Sequence, residues 1–135
     1  MKTWLKFWRW SFWTLLLLTL WLSLVPAEHV PAGLTFWDKA QHAAGFAALA
    51  VSGLLAYPGR NTALAVRLAG LGVGIEIAQW LSGWRQGDWL DWLADCVGIL
   101  LGWLVWRLWH WLRDLRRRSM APQPAPPSPV AQSTP

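Results

Sequence analysis

Hydrophobic positions along this chain fall in long runs separated by short charged clusters, the pattern of membrane spans joined by brief loops. Four runs predict four helices. The first, residues 10–25, is Leu-rich and follows a basic stretch. Trp4, Phe7, Trp8, Trp10, Phe12 and Trp13 lengthen it to spanning size and resemble an interfacial anchor. Val25-Pro26-Ala27 could pass for a signal-peptidase site, so a cleaved signal is the alternative to a retained helix. A short loop with two prolines follows. The second run, residues 38–57, is rich in Ala, and Pro58-Gly59-Arg60-Asn61 reads as a turn. The third covers residues 62–82 and the fourth residues 90–111. Each is near the roughly 20 residues that cross a bilayer. Helices are the expected way across, because backbone groups in lipid must be satisfied within the segment. Residues 1–112 are therefore expected to form one all-α transmembrane domain. Residues 113–135 are expected to be a tail, basic and then Pro-rich, disordered and acting as a solvated linker.

Composition sharpens this reading. Of 135 residues, 55% are hydrophobic, 14% are charged and 14 are Trp. A soluble domain of this size carries about a quarter charged residues. The net charge of +5 does not point to nucleic acid, because Lys2, Lys6, Arg9, Arg113, Arg116, Arg117 and Arg118 flank apolar runs. Anionic headgroups are the expected partner of those clusters. Lys39 and Arg85 fall on one side of the predicted membrane, while Arg60, Arg67, Arg107 and the terminal clusters fall on the other. The richer side is expected to be cytoplasmic, with both termini inside. Trp37, Trp80, Trp84, Trp89 and Trp92 would then form an outer aromatic belt. The lone Cys96 lies in an apolar run and reads as packing. Gly98 and Gly102 form a Gly-x-x-x-Gly pair, read as internal packing ahead of dimerisation, although a homo-oligomer stays open.

The acidic residues make the sequence specific. Of the seven, Asp38, Glu76, Asp88, Asp91 and Asp95 lie at or inside the outward ends of the second, third and fourth runs, with His42, Gln79 and Arg85. Asp38 and His42 are four apart, Glu76 and Gln79 three apart, and Asp88, Asp91 and Asp95 follow i, i+3, i+7, so each set shares a helix face. At 1.5 Å rise per residue, His42 lies ~6 Å further in than Asp38, Glu76 ~9 Å in from Ser82, and Asp95 ~6 Å in from Asp91. Three helices thus present polar groups at one level. Charges within spans are costly and usually face a partner or a watery cavity, which predicts a polar pocket open to the outer face. Five carboxylates cannot all ionise there beside one Lys and one Arg, so protonation, bridging or a bound cation is required. The plainer account is that Asp88, Asp91 and Asp38 cap helices and that His42 is a packing residue. Glu76 and Asp95 resist it, because they stand inside apolar runs.

These residues resemble the VanZ-like membrane proteins. The resemblance rests on Asp38-Lys39-x-x-His42-x-x-x-Phe46, then Glu76-x-x-Gln79, Arg85 and Asp88, then Asp91-x-x-Ala94-Asp95-x-x-Gly98, and covers residues 37–104. The family usually carries Asn where Asp95 stands; an ionised Asp cannot donate the hydrogen bond an Asn can. The resemblance implies a bacterial multi-pass protein of the cytoplasmic membrane with its first helix retained. The family takes its name from a member linked to teicoplanin resistance.

Three functions compete. A non-enzymatic envelope protein would bind a lipid headgroup, a cell-wall precursor or a glycopeptide-like molecule through Asp38, Lys39, His42, Glu76, Gln79, Arg85, Asp88, Asp91 and Asp95. An intramembrane hydrolase acting on a lipid-linked substrate would hold a divalent metal on His42, Glu76 and Asp91, or use Glu76 as general base. A small transporter ranks third, because the inner halves of the runs lack acids for a relay. No cofactor is predicted beyond that divalent metal.

Overall fold

The computed structural model describes residues 2–26, 29 and 38–120; the side chain of Asp38, residue Trp37 and the Pro-rich segment lie outside the described residues. The described chain is all helical: α1 (Lys2–Leu24), α2 (Asp38–Ala56), α3 (Asn61–Ser82) and α4 (Trp89–Ser119). Helices α3 and α4 are each long and apolar enough to cross a membrane.

Local chemistry sets the boundaries. The chain leaves α2 through Gly59, whose φ of +84° suits a residue without a Cβ. Gly83 ends α3 in the left-handed conformation, with φ of +77°. Asp88 caps α4: its side chain accepts from the Leu90 N–H at 2.9 Å. Two helices outrun the apolar runs. α1 starts at Lys2, because Lys and Arg are good helix formers and do not break the turns between Trp4 and Trp10. α4 continues through Arg113 to Ser119, where Arg116, Arg117 and Arg118 complement the negative end of the helix dipole.

Helix α2 is the hub and packs against all three others. Its Phe46, Leu49, Ala50 and Leu54 form the core with Phe12 of α1 and Leu64, Leu68 and Ile75 of α3. The closest approach is to α4. Gly98 lies against the Ala43 carbonyl and Gly102 against the Ala47 carbonyl, so the Gly-x-x-x-Gly pair serves packing within the chain. That approach brings His42 and Asp95, on the next turn, face to face. The surface of the bundle carries many apolar side chains: Leu17, Val66, Ile77, Trp80, Val97 and Leu100 are all more than half exposed.

A candidate polar site between three helices

The site begins at the first turn of α2. Lys39 reaches across to the start of α4, where its Nζ donates to Asp88 Oδ2 at 2.8 Å and Asp91 Oδ1 at 2.9 Å. Asp91 is buried and Lys39 is half exposed, so the ammonium roofs the site from its exposed side. The Lys39 hydrogen bond, helped by the Leu90 N–H, holds the Asp88 carboxyl below its ordinary value.

One turn deeper, His42 Nδ1 and Asp95 Oδ1 lie 2.9 Å apart, both buried. The second oxygen of Asp95 has no hydrogen-bond partner. It fits because residue 72 is Gly: a Cβ there would stand 2.5 Å from Asp95 Oδ2. Burying a carboxylate oxygen without a donor is costly, so the helices make room for a group that contributes little to packing.

Glu76 enters from α3. Its Oε2 accepts from the Asp88 N–H at 2.7 Å, while Oε1 is buried without a partner. His42, Glu76 and Asp91 each offer a donor atom, and these atoms lie within 4.8 Å of one another. Four carboxylates (Glu76, Asp88, Asp91 and Asp95) meet one ammonium and one imidazole. If all were charged, two negative charges would remain, so protons must be shared or a cation held.

Gln79 and Arg85 turn the other way. Gln79 Nε2 donates to the Ser23 carbonyl at 2.9 Å, and Arg85 Nη2 donates to the Leu22 carbonyl at 2.9 Å. Trp84 Nε1 adds a bond to the Leu24 carbonyl at 3.1 Å. Together they cap the C-terminal end of α1, where helix carbonyls lack partners. Trp84 and these carbonyls are the contacts that sequence reasoning missed; a main-chain acceptor leaves no residue-type signal. Gln79 Oε1 is also buried without a partner.

Two spaces adjoin the cluster. A cavity of about 60 Å³ lies between α1 and α2, lined by Thr19, Ser23, Gln41, His42 and Arg85. It suits a few waters or a small ion. On the α3–α4 face, a groove of about 330 Å³ runs past Glu76 between Trp80, Trp89 and Trp92. Glu76 therefore stands between the buried cluster and an open aromatic wall. The groove also has Gly87 in its lining, where a Cβ would stand 2.6 Å from the Glu76 carbonyl, so the α3–α4 connection is held close to α3. Comparison of the chain with protein-family models, with curated proteins and with solved structures gives no match.

Proposed function

We propose that this chain is a VanZ-like multi-pass protein of the bacterial cytoplasmic membrane, with four spanning helices and both termini inside. Its outward pocket binds a cell-envelope ligand: a lipid headgroup, a cell-wall precursor or a glycopeptide-like molecule. Helix length supports the four spans. α1 has 23 residues and α2 has 19, hence ~34 Å and ~28 Å at the helical rise, close to the ~30 Å hydrocarbon thickness. α2 packs on both of the helices that are long and apolar enough to cross, and α1 packs on α2 and on α3.

The observation that carries the reading is Glu76, with one oxygen bound to the α4 cap and the other unpartnered, beside a Trp-walled groove. The unpartnered oxygens of Glu76, Asp95 and Gln79 are all acceptors. The ligand they suit therefore brings hydrogen-bond donors or positive charge, such as an ammonium group, and lays its apolar part along Trp80, Trp89 and Trp92. Lys39 is committed to Asp88 and Asp91, while the buried Arg85 Nε, at the small cavity beside His42, is a donor without a partner and suits an acceptor there.

A second reading has its own support. One imidazole and two carboxylates at mutual donor distances suit a divalent transition metal, and a carboxylate on the other side of the imidazole is the usual support for a histidine ligand. His42, Glu76 and Asp91 would hold such an ion, and the ion would supply a Lewis acid for a hydrolase acting on a lipid-linked substrate.

Native mass spectrometry of the protein, purified in detergent from a bacterial membrane, tests both. The first reading expects a retained envelope molecule on the wild type that Glu76→Gln loses, since the amide can replace an acceptor by a donor. A divalent ion lost in that variant instead moves the assignment to the metal. Bare protein in both samples overturns both readings.

A further inference from the structure

A second groove lies at the opposite end of the bundle, between α1 and α3, with a volume of about 290 Å³. Phe12 and Leu16 of α1 and Leu64, Leu68 and Leu71 of α3 form its apolar wall, and Arg60, Arg67 and Tyr57 stand at its mouth. We propose that this groove holds an anionic phospholipid, one acyl chain along the wall and its phosphate between the two guanidinium groups. The inference rests on the membrane-spanning reading but not on any ligand of the polar site.

Three observations converge on it. The first is charge. Arg60 and Arg67 are both exposed, and neither forms an ion pair among the described residues. Arg67 stands a turn and a half inside α3, with only apolar residues and glycines around it from Ala63 to Ile75, where a cation seeks a counter-charge. The second is direction. Side chains on a helix lean toward its N-terminus, so Arg67 leans back toward Arg60, and both line the same hollow. From residue 60 to residue 71 the rise is ~16 Å, close to the ~15 Å of one leaflet's hydrocarbon layer. The wall is thus about as long as a chain that starts at the headgroup level.

The third is a prepared donor. Tyr57 accepts from Trp13 Nε1 at 3.1 Å, and the Arg9 guanidinium lies 5.4 Å from the centre of its ring. Those contacts fix the phenol at the mouth and leave its own proton to donate to a phosphate or ester oxygen. Other hollows lack this pairing. The one between Trp4, Trp8 and Trp109 and the one beside Ala47 and Gly102 have no charged residue in their linings. Chains of any lipid fill such places, whereas the α1–α3 groove adds a headgroup preference. Basic pockets between spans on the cytoplasmic side are the expected sites for anionic headgroups.

The test compares wild type, Arg60→Gln/Arg67→Gln and Ala63→Trp, which fills the groove without touching charge. Each full-length protein is first located by membrane fractionation and its helicity checked by circular dichroism. Each is then titrated in detergent with an equimolar mixture of phosphatidylglycerol and phosphatidylcholine of identical chains and read by native mass spectrometry. Wild type is expected to retain phosphatidylglycerol about tenfold or more over phosphatidylcholine. The double variant falls to near parity, and Ala63→Trp retains less of both. A wild type without preference, a preference that survives in the double variant, or a lipid-free dimer closed over the groove overturns the proposal. A folded chain absent from the membrane fraction overturns the spanning reading itself, so the two failures are told apart.

Discussion

Substituting Gly98 by Ala tests the link between helix packing and the polar site. A methyl group at Gly98 would press on the main chain of Ala43, 2.9 Å from its carbonyl carbon and 3.0 Å from its Cα, and closer still to the carbonyl oxygen. Main chain inside a helix cannot rotate aside, so α2 and α4 must part. Ordinary contact starts at 3.4 Å, so the Ala43 carbonyl carbon alone asks for about 0.5 Å of separation and the nearer oxygen for more. Carried to His42 and Asp95, that separation stretches their 2.9 Å contact to about 3.4 Å or beyond, past the usual hydrogen-bond length. Overpacking costs about 1–3 kcal/mol, and Ala returns about 1 kcal/mol of helix propensity. The expected net loss is about 0–2 kcal/mol against wild type, and about 1–3 kcal/mol against a Gly→Ala change that gains the same propensity without the clash. The chain carries its own reporter, since Cys96 is partly buried on the same turns and is the lone thiol. Thermal unfolding in detergent, read by a thiol-reactive fluorophore, gives the midpoint. Gly70→Ala is the control, because nothing lies within 4 Å of a Cβ there, and its midpoint is expected to hold or rise. Equal midpoints for Gly98→Ala and Gly70→Ala would refute the reasoning.

Two further outcomes follow from the site. Lys39→Met leaves the buried Asp91 without its ammonium partner and is expected to lower the unfolding midpoint at neutral pH. Because Lys39 holds the Asp88 carboxyl below its ordinary value, that part of its contribution is present above the ordinary carboxyl range, about pH 4, and disappears as pH falls through the lowered value. The gap between wild type and variant should therefore close in acid, and a gap that widens there contradicts the assignment. Asp95→Asn preserves shape while removing charge from an unpartnered buried oxygen, so its midpoint should match or exceed wild type, whereas Asp95→Ala should lose about 1–3 kcal/mol. An Asn variant less stable than the Ala variant would show that the carboxylate itself is needed.

The runs of apolar residues were legible as helices wherever a turn residue ended them. Residues 38–57 and 62–82 correspond to α2 and α3 within a residue, because Pro58 cannot continue α2 and Gly83 ends α3 at positive φ. The ends without such punctuation were not legible: the chain gives no stop signal between Lys2 and Trp10 or between Arg113 and Ser119, and helix continues through both. In the site, helical spacing placed Asp91 and Asp95 on the face of α4 that meets α2 together with Gly98 and Gly102, whereas Asp88, counted in the same spacing, stands one residue before the helix in extended backbone as its cap and joins Asp91 only through Lys39. Spacing could not say that Glu76 and Gln79, three apart, part company at their tips. Glu76 goes to the α4 cap, and Gln79 goes to a carbonyl of α1. That choice is made by main-chain groups, which every residue carries alike.

The same carbonyls bear on how the chain is assembled. Leu22, Ser23 and Leu24 are made early, but the side chains that occupy their oxygens, Gln79, Trp84 and Arg85, are made some sixty residues later. Until then the C-terminal end of α1 holds open acceptors and has no latch. On the four-span reading proposed above, the first helix would enter the bilayer early but be fastened only once α3 and the turn after it have arrived, which would make the third helix a checkpoint for the position of the first.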